Sequence, residues 1–310
     1  PSAQLKRLRP PLLNRSRLFF GHTLERGEDM EKRSFGATGR RVAVIGQGTW
    51  NLEQAVAADA VRALRQGFDL GMTHVDCAEM YGSGRAEELV AEAIGARRDE
   101  IFLVSKVLPS HASQAGVRSA CEASLARLNT DRLDCYLLHW RGRIALRETV
   151  AGFEQLQREG KILSWGVSNF DVSDLEELRE AADGRLPACN QVLYHLDERA
   201  VEHAVLPWCE KHGVAVVAYS PFGHQGFPGP RTARGRVLGE IAAAHAASER
   251  AVALAFLVAR PQVFAIPKAS SAQHVAENAR AGEIRLGAEE LARIREAFPL
   301  DPHARALPSL

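Results

Sequence analysis

The sequence predicts an α/β fold: a (β/α)8 TIM barrel with an N-terminal β-hairpin and an extra C-terminal helix. Apolar strand candidates recur at intervals close to 30 residues and alternate with amphipathic stretches. A parallel strand needs a helical crossover of about this length, and eight such units can close into a barrel. The predicted strands begin near Val44, Thr73, Ile101, Leu133, Ile162, Ala188, Val214 and Val263.

Ahead of the first barrel strand, the segment KRSFGATGRRVAV (32–44) predicts two short strands joined by a glycine turn. Helices are indicated by apolar residues at helical spacing. Val61, Leu64 and Phe68 form one such stripe, and a second stripe consists of Val117, Cys121, Leu125 and Leu128. Glycines mark several predicted helix ends, namely Gly71, Gly95, Gly160 and Gly213.

The long interval after the seventh strand contains two predicted helices, Arg234–Ala247 and Arg250–Val258, and the extra helix covers Leu286–Phe298. An open, doubly wound sheet is the competing architecture. That fold usually carries a glycine-rich phosphate loop after its first strand. Here the first strand ends in Gly46-Gln47-Gly48-Thr49-Trp50, and no third glycine follows at the required spacing.

Composition narrows the class of protein. The 310 residues are 46% hydrophobic and 25% charged, and the formal net charge is +1. This near-neutral balance argues against nucleic acid or a membrane surface as the main partner. The five cysteines show neither CxxC nor metal-ligand spacing. We therefore expect reduced core thiols, a cytoplasmic location and no metal site.

Three segments are expected along the chain. Residues 1–29 are rich in arginine, poor in acids and without periodicity, so they predict a disordered or non-native extension, with a transit peptide as the alternative. Residues 30–300 predict a single barrel domain, and residues 301–310 a C-terminal tail.

Four polar residues at predicted strand ends suit one reaction, because chemistry in such barrels lies at the C-terminal ends of the strands. Tyr81 is a weak acid, with an ordinary pKa of about 10. A neighbouring ammonium on Lys106 would lower that pKa, and the carboxylate of Asp76 would keep Lys106 charged. His139 could orient a substrate carbonyl. Amino-acid side chains cannot supply a hydride, so a proton donor of this kind points to a nicotinamide cofactor.

Seven segments in order then carry a resemblance to the aldo-keto reductase superfamily, over essentially Met30 to Phe298. They are DCAEMYG (76–82), SKV (105–107), LLHW (137–140), GVSNF (166–170), NQVLYH (190–195), AYSPF (218–222) and IPKAS (266–270). Within the superfamily, the chain is most similar to bacterial members that reduce methylglyoxal and other small aldehydes.

The resemblance implies residue roles. Tyr81 would be the general acid, Lys106 its neighbour, Asp76 the partner of Lys106, and His139 the carbonyl-orienting group. Trp50, Trp140 and Phe222 would wall the substrate pocket. The implied cofactor contacts are Gly48, Thr49, Trp50, Ser168, Asn169, Gln191, Tyr219, Ser220, Pro221, Phe222, Lys268, Ala269, Ser270, His274, Glu277 and Asn278.

The resemblance also implies the activity, which is reduction of small aldehydes and ketones to alcohols, among them methylglyoxal-like and aromatic aldehydes. NADPH is the expected cofactor, with some use of NADH. Many NADPH-preferring members have Arg where this chain has His274, and Ser is common where it has Ala269. A neutral His cannot clamp a phosphate as Arg does.

Two other functions stay open from the residues alone. A lyase or aldolase could use Lys106 as a Schiff base, and a non-catalytic regulatory subunit could bind the nicotinamide cofactor without turnover. The expected partner is a small carbonyl substrate, and the expected assembly is a monomer.

Overall fold

The computed structural model describes residues 30–224, 226–302 and 307–309. The predictions for residues 1–29, and part of the prediction for 301–310, lie outside the described residues. The chain opens with the predicted hairpin, in which β1 (Lys32–Ser34) pairs antiparallel with β2 (Arg41–Ala43). A turn with Gly39 at φ 70° joins the two strands, and the Phe35 N–H donates to the Arg40 carbonyl at 3.0 Å.

The remaining eight strands form one parallel sheet in sequence order, with each strand paired to the next. They are β3 (Gln47–Gly48), β4 (His74–Asp76), β5 (Phe102–Val107), β6 (Cys135–Leu138), β7 (Trp165–Ser168), β8 (Cys189–Leu193), β9 (Ala215–Tyr219) and β10 (Val263–Ala265). Parallel bridges from Ile45 to Ala265 and from Gly48 to Lys268 join the first strand to the last. The predicted barrel is confirmed, since a doubly wound sheet would reverse its strand order.

The predicted first strand differs from the structure in its extent. We expected one strand from Val44, but β2 ends at Ala43 and β3 covers only Gln47–Gly48. Between them the chain leaves the hairpin and bonds to β10, where the Val44 carbonyl accepts the Ala265 N–H at 2.9 Å. A continuous apolar run in the sequence does not reveal this change of partner.

Ten α-helices lie in the described residues. They are α1 (Ala57–Asp69), α2 (Arg85–Ile94), α3 (Gln114–Leu128), α4 (Leu146–Arg158), α5 (Val172–Ala181), α6 (Val205–His212), α7 (Ala233–Ala244), α8 (Glu249–Val258), α9 (Ala272–Arg280) and α10 (Ala288–Ala297). The predicted apolar stripes of α1 and α3 are buried. The four glycines expected at helix ends all have positive φ, which lets the chain leave the helix without strain.

The hairpin covers the end of the barrel at which the strands begin. Phe35 is fully buried there, with its ring centroid 4.8 Å from that of Phe102 and 5.0 Å from that of Phe264. The imidazole of His74 packs edge-on against the same ring at 5.6 Å. Burial and the charge of Lys106 lower the pKa of His74 to about 3, so this histidine is neutral. Because the hairpin covers this end, the functional side chains are expected at the opposite end, where the strands finish.

All five cysteines are free and buried. Among the described residues, no single helix combines the length and apolar composition required to cross a bilayer. In the same part of the chain, α7 and α8 taken together, with a bend of 87° between them, meet that requirement by length and composition.

Truncation of the buried Phe35 side chain should destabilise the barrel. For Phe35→Ala we expect the free energy of unfolding to fall by about 3–5 kcal/mol, because a buried aromatic ring is lost and a cavity is left. Urea unfolding measures this change. Phe227→Ala, in a half-buried ring, is the matched control and should cost clearly less. Equal losses in the two variants would contradict the role given to the hairpin.

Candidate active site

The predicted catalytic side chains meet at the C-terminal ends of the strands. A cavity of about 130 Å³ opens there. Its lining consists of Trp50, Met80, Tyr81, His139, Trp140, Ser168, Asn169, Gln191 and Tyr219. Larger depressions of about 530 and 640 Å³ lie around the hairpin, but charged surface side chains line them, and they hold none of the predicted site residues.

Lys106 is the centre of the hydrogen-bond network. It extends from β5 into the barrel interior with its side chain fully buried. Its Nζ donates to Asp76 Oδ1 at 2.5 Å, to the Cys77 carbonyl at 2.9 Å and to Tyr81 Oη at 3.1 Å. The three donor protons of the ammonium are therefore all used, and the expected Asp76–Lys106–Tyr81 chain is assembled.

Asp76, at the end of β4, is held on both of its carboxylate oxygens. Lys106 occupies Oδ1, and Gln191 Nε2 donates to Oδ2 at 2.7 Å. The hydroxyl of Thr49 donates to the Asp76 carbonyl at 2.9 Å. A buried carboxylate is tolerated only when paired and hydrogen-bonded, and each of these conditions is met here.

The electrostatics of the chain differ in one respect from the expectation. Burial alone would lower the pKa of Lys106, but Asp76 and Tyr81 raise it above its ordinary value, so Lys106 is charged. We expected a lowered pKa for Tyr81, and this was wrong. Burial raises the pKa of Tyr81 and outweighs the opposing effect of Lys106. The phenol therefore keeps its proton at neutral pH, and Lys106 limits how far burial raises its pKa.

His139 faces the same cavity from the end of β6. Its ring packs edge-on against Tyr81, with centroids 5.7 Å apart, and lies 5.0 Å from the ring of Trp140. Burial and the charge of Lys106 lower the pKa of His139 to about 2. A neutral imidazole in this position can donate one hydrogen bond to a ligand but cannot act as a cationic acid.

A second cavity of about 80 Å³ adjoins the first and shares Trp50, Tyr81 and Tyr219 with it. It is lined by Gly48, Thr49, Trp50, Asp76, Tyr81, Tyr219, Ser220, Pro221, Ile266 and Lys268. The combined lining offers an aromatic ring and amides at one end and an ammonium at the other. This donor set fits an amide-bearing ring joined to an anionic phosphate group.

The amide end is organised by hydrogen bonds within the protein. Asn169 Nδ2 donates to the His139 carbonyl and to Ser168 Oγ, both at 3.2 Å. Its Oδ1 accepts the Tyr219 hydroxyl at 2.8 Å, and Ser168 Oγ donates to the Gln191 carbonyl at 2.9 Å. Asn169 holds a left-handed backbone conformation with φ 60°. These contacts fix the orientation of the Tyr219 ring and of the Asn169 amide.

Several predicted contact residues do not line either cavity. Phe222 packs against Phe227, with centroids 6.1 Å apart, beneath the guanidinium of Arg250. The others follow Lys268 along the chain, in the loop and in α9: Ala269, Ser270, His274, Glu277 and Asn278. For these residues the implied roles stay predictions.

Two lining residues were not foreseen, Met80 and Ile266. Met80 is 41% exposed beside Tyr81, and an apolar residue between two catalytic candidates was a usable signal. Ile266 gave no signal, because an isoleucine at the end of an apolar strand is indistinguishable from core.

A family model described as the aldo/keto reductase family matches residues 44–298. The chain is 46% identical over 265 residues to methylglyoxal reductase YeaE of Escherichia coli K12, covering 85% of this chain and 93% of that protein. The chain belongs to the aldo/keto reductase family. Membership makes it an NADP(H)-dependent oxidoreductase, which confirms the enzyme class and the cofactor expected from the sequence.

Solved relatives agree in fold. An aldo/keto reductase from Klebsiella pneumoniae in complex with NADP and acetate is 44% identical, with a TM-score of 0.84 over 91% of this chain and 100% of that chain. A Klebsiella pneumoniae structure in complex with NADPH gives a TM-score of 0.85 at 44% identity, over 91% and 99% of the two chains.

The losses of stability from removing the two members of the buried ion pair should not be additive. Lys106→Met leaves the Asp76 carboxylate buried and uncompensated, which should cost about 3–5 kcal/mol in the free energy of unfolding. The double variant with Asp76→Asn should lose clearly less than the sum of the two single losses. Chemical unfolding of all four proteins measures the coupling.

The matched control is Lys161→Met, which removes the surface ion pairs with Glu122 and Glu159 and should change the free energy of unfolding little. Strict additivity of the Asp76 and Lys106 losses would show that the two groups do not depend on each other.

Proposed function

We propose that this protein reduces small aldehydes and ketones to alcohols, with Tyr81 as the proton donor to the carbonyl oxygen. The observation that carries the proposal is the hydrogen bond of 3.1 Å from the fully buried Lys106 Nζ to Oη of Tyr81, a residue that lines the same cavity as His139. Bound NADPH would supply the hydride. In this proposal, every other task is done by side chains of the protein.

Proton transfer in the proposed reaction is a task for Tyr81 and Lys106. As the carbonyl becomes an alkoxide, Tyr81 Oη gives up its proton to that oxygen and acquires negative charge. The ammonium of Lys106 stabilises the forming phenolate, and Asp76 keeps that ammonium in place. Neutral His139 donates a second hydrogen bond to the carbonyl oxygen and so orients the substrate.

The residues present fit the cofactor that the family uses. Ser168, Asn169 and Gln191 would hold the carboxamide of the nicotinamide, and the ring of Tyr219 would stack on it. Since Gln191 Nε2 is engaged by Asp76, its Oε1 is the remaining acceptor for that amide. Lys268 would bind phosphate at the other end of the cavity.

The lyase alternative is disfavoured by the charge state of Lys106. A Schiff base forms only from a neutral amine, and Asp76 and Tyr81 raise the pKa of Lys106 against the effect of burial. A purely regulatory role is disfavoured because Tyr81 and His139 line one cavity, and Lys106 and Asp76 are hydrogen-bonded in a chain behind Tyr81.

The cavity favours small neutral substrates with an apolar or flat group. Its rim consists of Trp50, Met80 and Trp140, each about 40% exposed, and its lining contains no charged side chain. Methylglyoxal-like and aromatic aldehydes suit this lining. Methylglyoxal also appears in the name of the related Escherichia coli protein. A cytoplasmic location belongs to the proposal, since the five buried thiols suit a reducing compartment. The monomeric state stays a prediction.

Loss of the Tyr81 hydroxyl should abolish reduction without affecting cofactor binding. For Tyr81→Phe we expect kcat to fall by at least about 100-fold, because general acid catalysis is lost. NADPH consumption with methylglyoxal and with an aromatic aldehyde measures turnover, and fluorescence titration measures NADPH binding. Tyr136→Phe is the matched control, since its buried hydroxyl has no hydrogen-bond partner within the described residues. Near-normal turnover by Tyr81→Phe would refute the assignment.

Reduction should depend on pH only at the alkaline side. The active form of Tyr81 is protonated, and its pKa is raised, so activity persists through neutral pH and declines as the pH rises above about 10. His139 stays neutral because its pKa is lowered to about 2, and it adds no acidic limb above pH 5. Single-turnover rates between pH 5 and pH 10.5 test this. An inflection between pH 6 and pH 8 that His139→Gln removes would contradict it.

A further inference from the structure

Tyr81 does not lie on a strand. It belongs to a short segment that leaves β4 at Asp76, and Glu79 attaches the middle of this segment to the end of β5. The Glu79 N–H donates to the Lys106 carbonyl at 3.3 Å, and Glu79 Oε1 accepts the Leu108 N–H at 2.6 Å. The two contacts reach Lys106 and Leu108, on either side of Val107. Lys106 is also the residue whose ammonium contacts Tyr81.

The side-chain contact is the shorter of the two and is well shielded from solvent. The Glu79 side chain is only 10% exposed. The second neighbour of its Oε1 is His111 Nδ1, at 3.0 Å, and that imidazole is 49% exposed. Leu108 precedes the short 3-10 turn Pro109–His111, so one carboxylate oxygen fastens both the Tyr81 segment and this turn.

The backbone after Tyr81 requires such an attachment. Gly82 and Ser83 both lie in the left-handed region, with φ of 55° and 53°. Ser83 is disfavoured there by its Cβ, and backbone of this kind persists only where surrounding contacts determine it. Cys77 also ties the segment to β5, since its Sγ donates to the Val104 carbonyl at 3.1 Å and its carbonyl accepts Lys106 Nζ at 2.9 Å. Glu79 adds a side-chain contact that is nearer to Tyr81 in sequence.

We propose that Glu79 is a positioning residue for the reduction, which holds Tyr81 Oη at hydrogen-bond distance from Lys106 Nζ. It lines neither cavity, so it acts on the acid through the backbone and not on the ligands. The inference rests on the proposed function, because it gives Tyr81 the role of acid.

Positioning depends on the reach of the side chain and not on its charge. Glu79→Asp keeps the charge but shortens the side chain by one methylene, so that the contact with Leu108 N–H is lost or the segment is displaced. Glu79→Gln keeps the reach and an acceptor oxygen but removes the charge. The two substitutions are small, and both leave the Glu79 N–H in place.

The test compares kcat at saturating NADPH and methylglyoxal, NADPH affinity and thermal stability in both variants. We expect Glu79→Asp to lower kcat about tenfold, since a shift of the Tyr81 segment by about the length of one methylene misaligns the reacting groups. NADPH affinity should be unchanged. Glu79→Gln should retain the wild-type kcat. His111→Ala, which removes only the exposed neighbour, is the matched control and should also behave as wild type.

A second readout does not depend on turnover. In protein labelled with ¹³Cζ-tyrosine and free of cofactor, the signal assigned to Tyr81 by its loss in Tyr81→Phe should shift in Glu79→Asp and not in Glu79→Gln. An unchanged kcat and an unchanged signal in Glu79→Asp would overturn the inference, as would equal loss of kcat in both variants. Absence of carbonyl reduction by the wild-type protein would instead refute the proposed function.

Discussion

Lys106 carries its charge inside the barrel, where a lone ammonium would lose it. The carboxylate of Asp76, 2.5 Å from Nζ, offsets the cost of burial and keeps the proton on the nitrogen. The position of the ammonium in turn determines where a phenol can be stabilised as it gives up a proton, and the structure has Tyr81 at that point. Gln191 holds the second oxygen of Asp76, so the network reaches the residues proposed for the cofactor amide.

The barrel explains how residues far apart in sequence reach one ion pair. Asp76, Lys106 and His139 lie at or directly after the C-terminal ends of three successive parallel strands, and Gln191 lies on a strand further round the sheet. The hairpin covers the other end with Phe35, and the charged groups Asp76 and Lys106 are buried in the interior. In such an interior the same ion pair acts more strongly than it would in water. Stability and chemistry therefore depend on the same burial.

Much of this arrangement could be predicted from the sequence. The repeat of strands near 30 residues gave the barrel, and polar residues at strand ends gave the four catalytic candidates, because both follow from periodicity. The pKa of Tyr81 could not be predicted in direction, since it depends on the balance between burial and one cation at 3.1 Å. The packing of Phe222 against Phe227 was also beyond the sequence, because loop side chains have no periodicity that fixes where they point. The N–H of Val44 donates to Glu31 next to the hairpin, and its carbonyl accepts from Ala265 in β10. This change of partner is visible only in the pairing of the strands.

The proposed chemistry depends on a charged lysine beside the proton donor in the barrel interior. It is tested most directly by ¹⁵Nζ NMR of lysine-labelled protein without ligand, with the Lys106 signal assigned by its loss in Lys106→Met. We expect Lys106 to keep the chemical shift of an ammonium beyond pH 10.5, above the ordinary range for lysine. The shift of a neutral amine at pH 7 would contradict the account, because Lys106 could then neither stabilise a phenolate nor compensate Asp76.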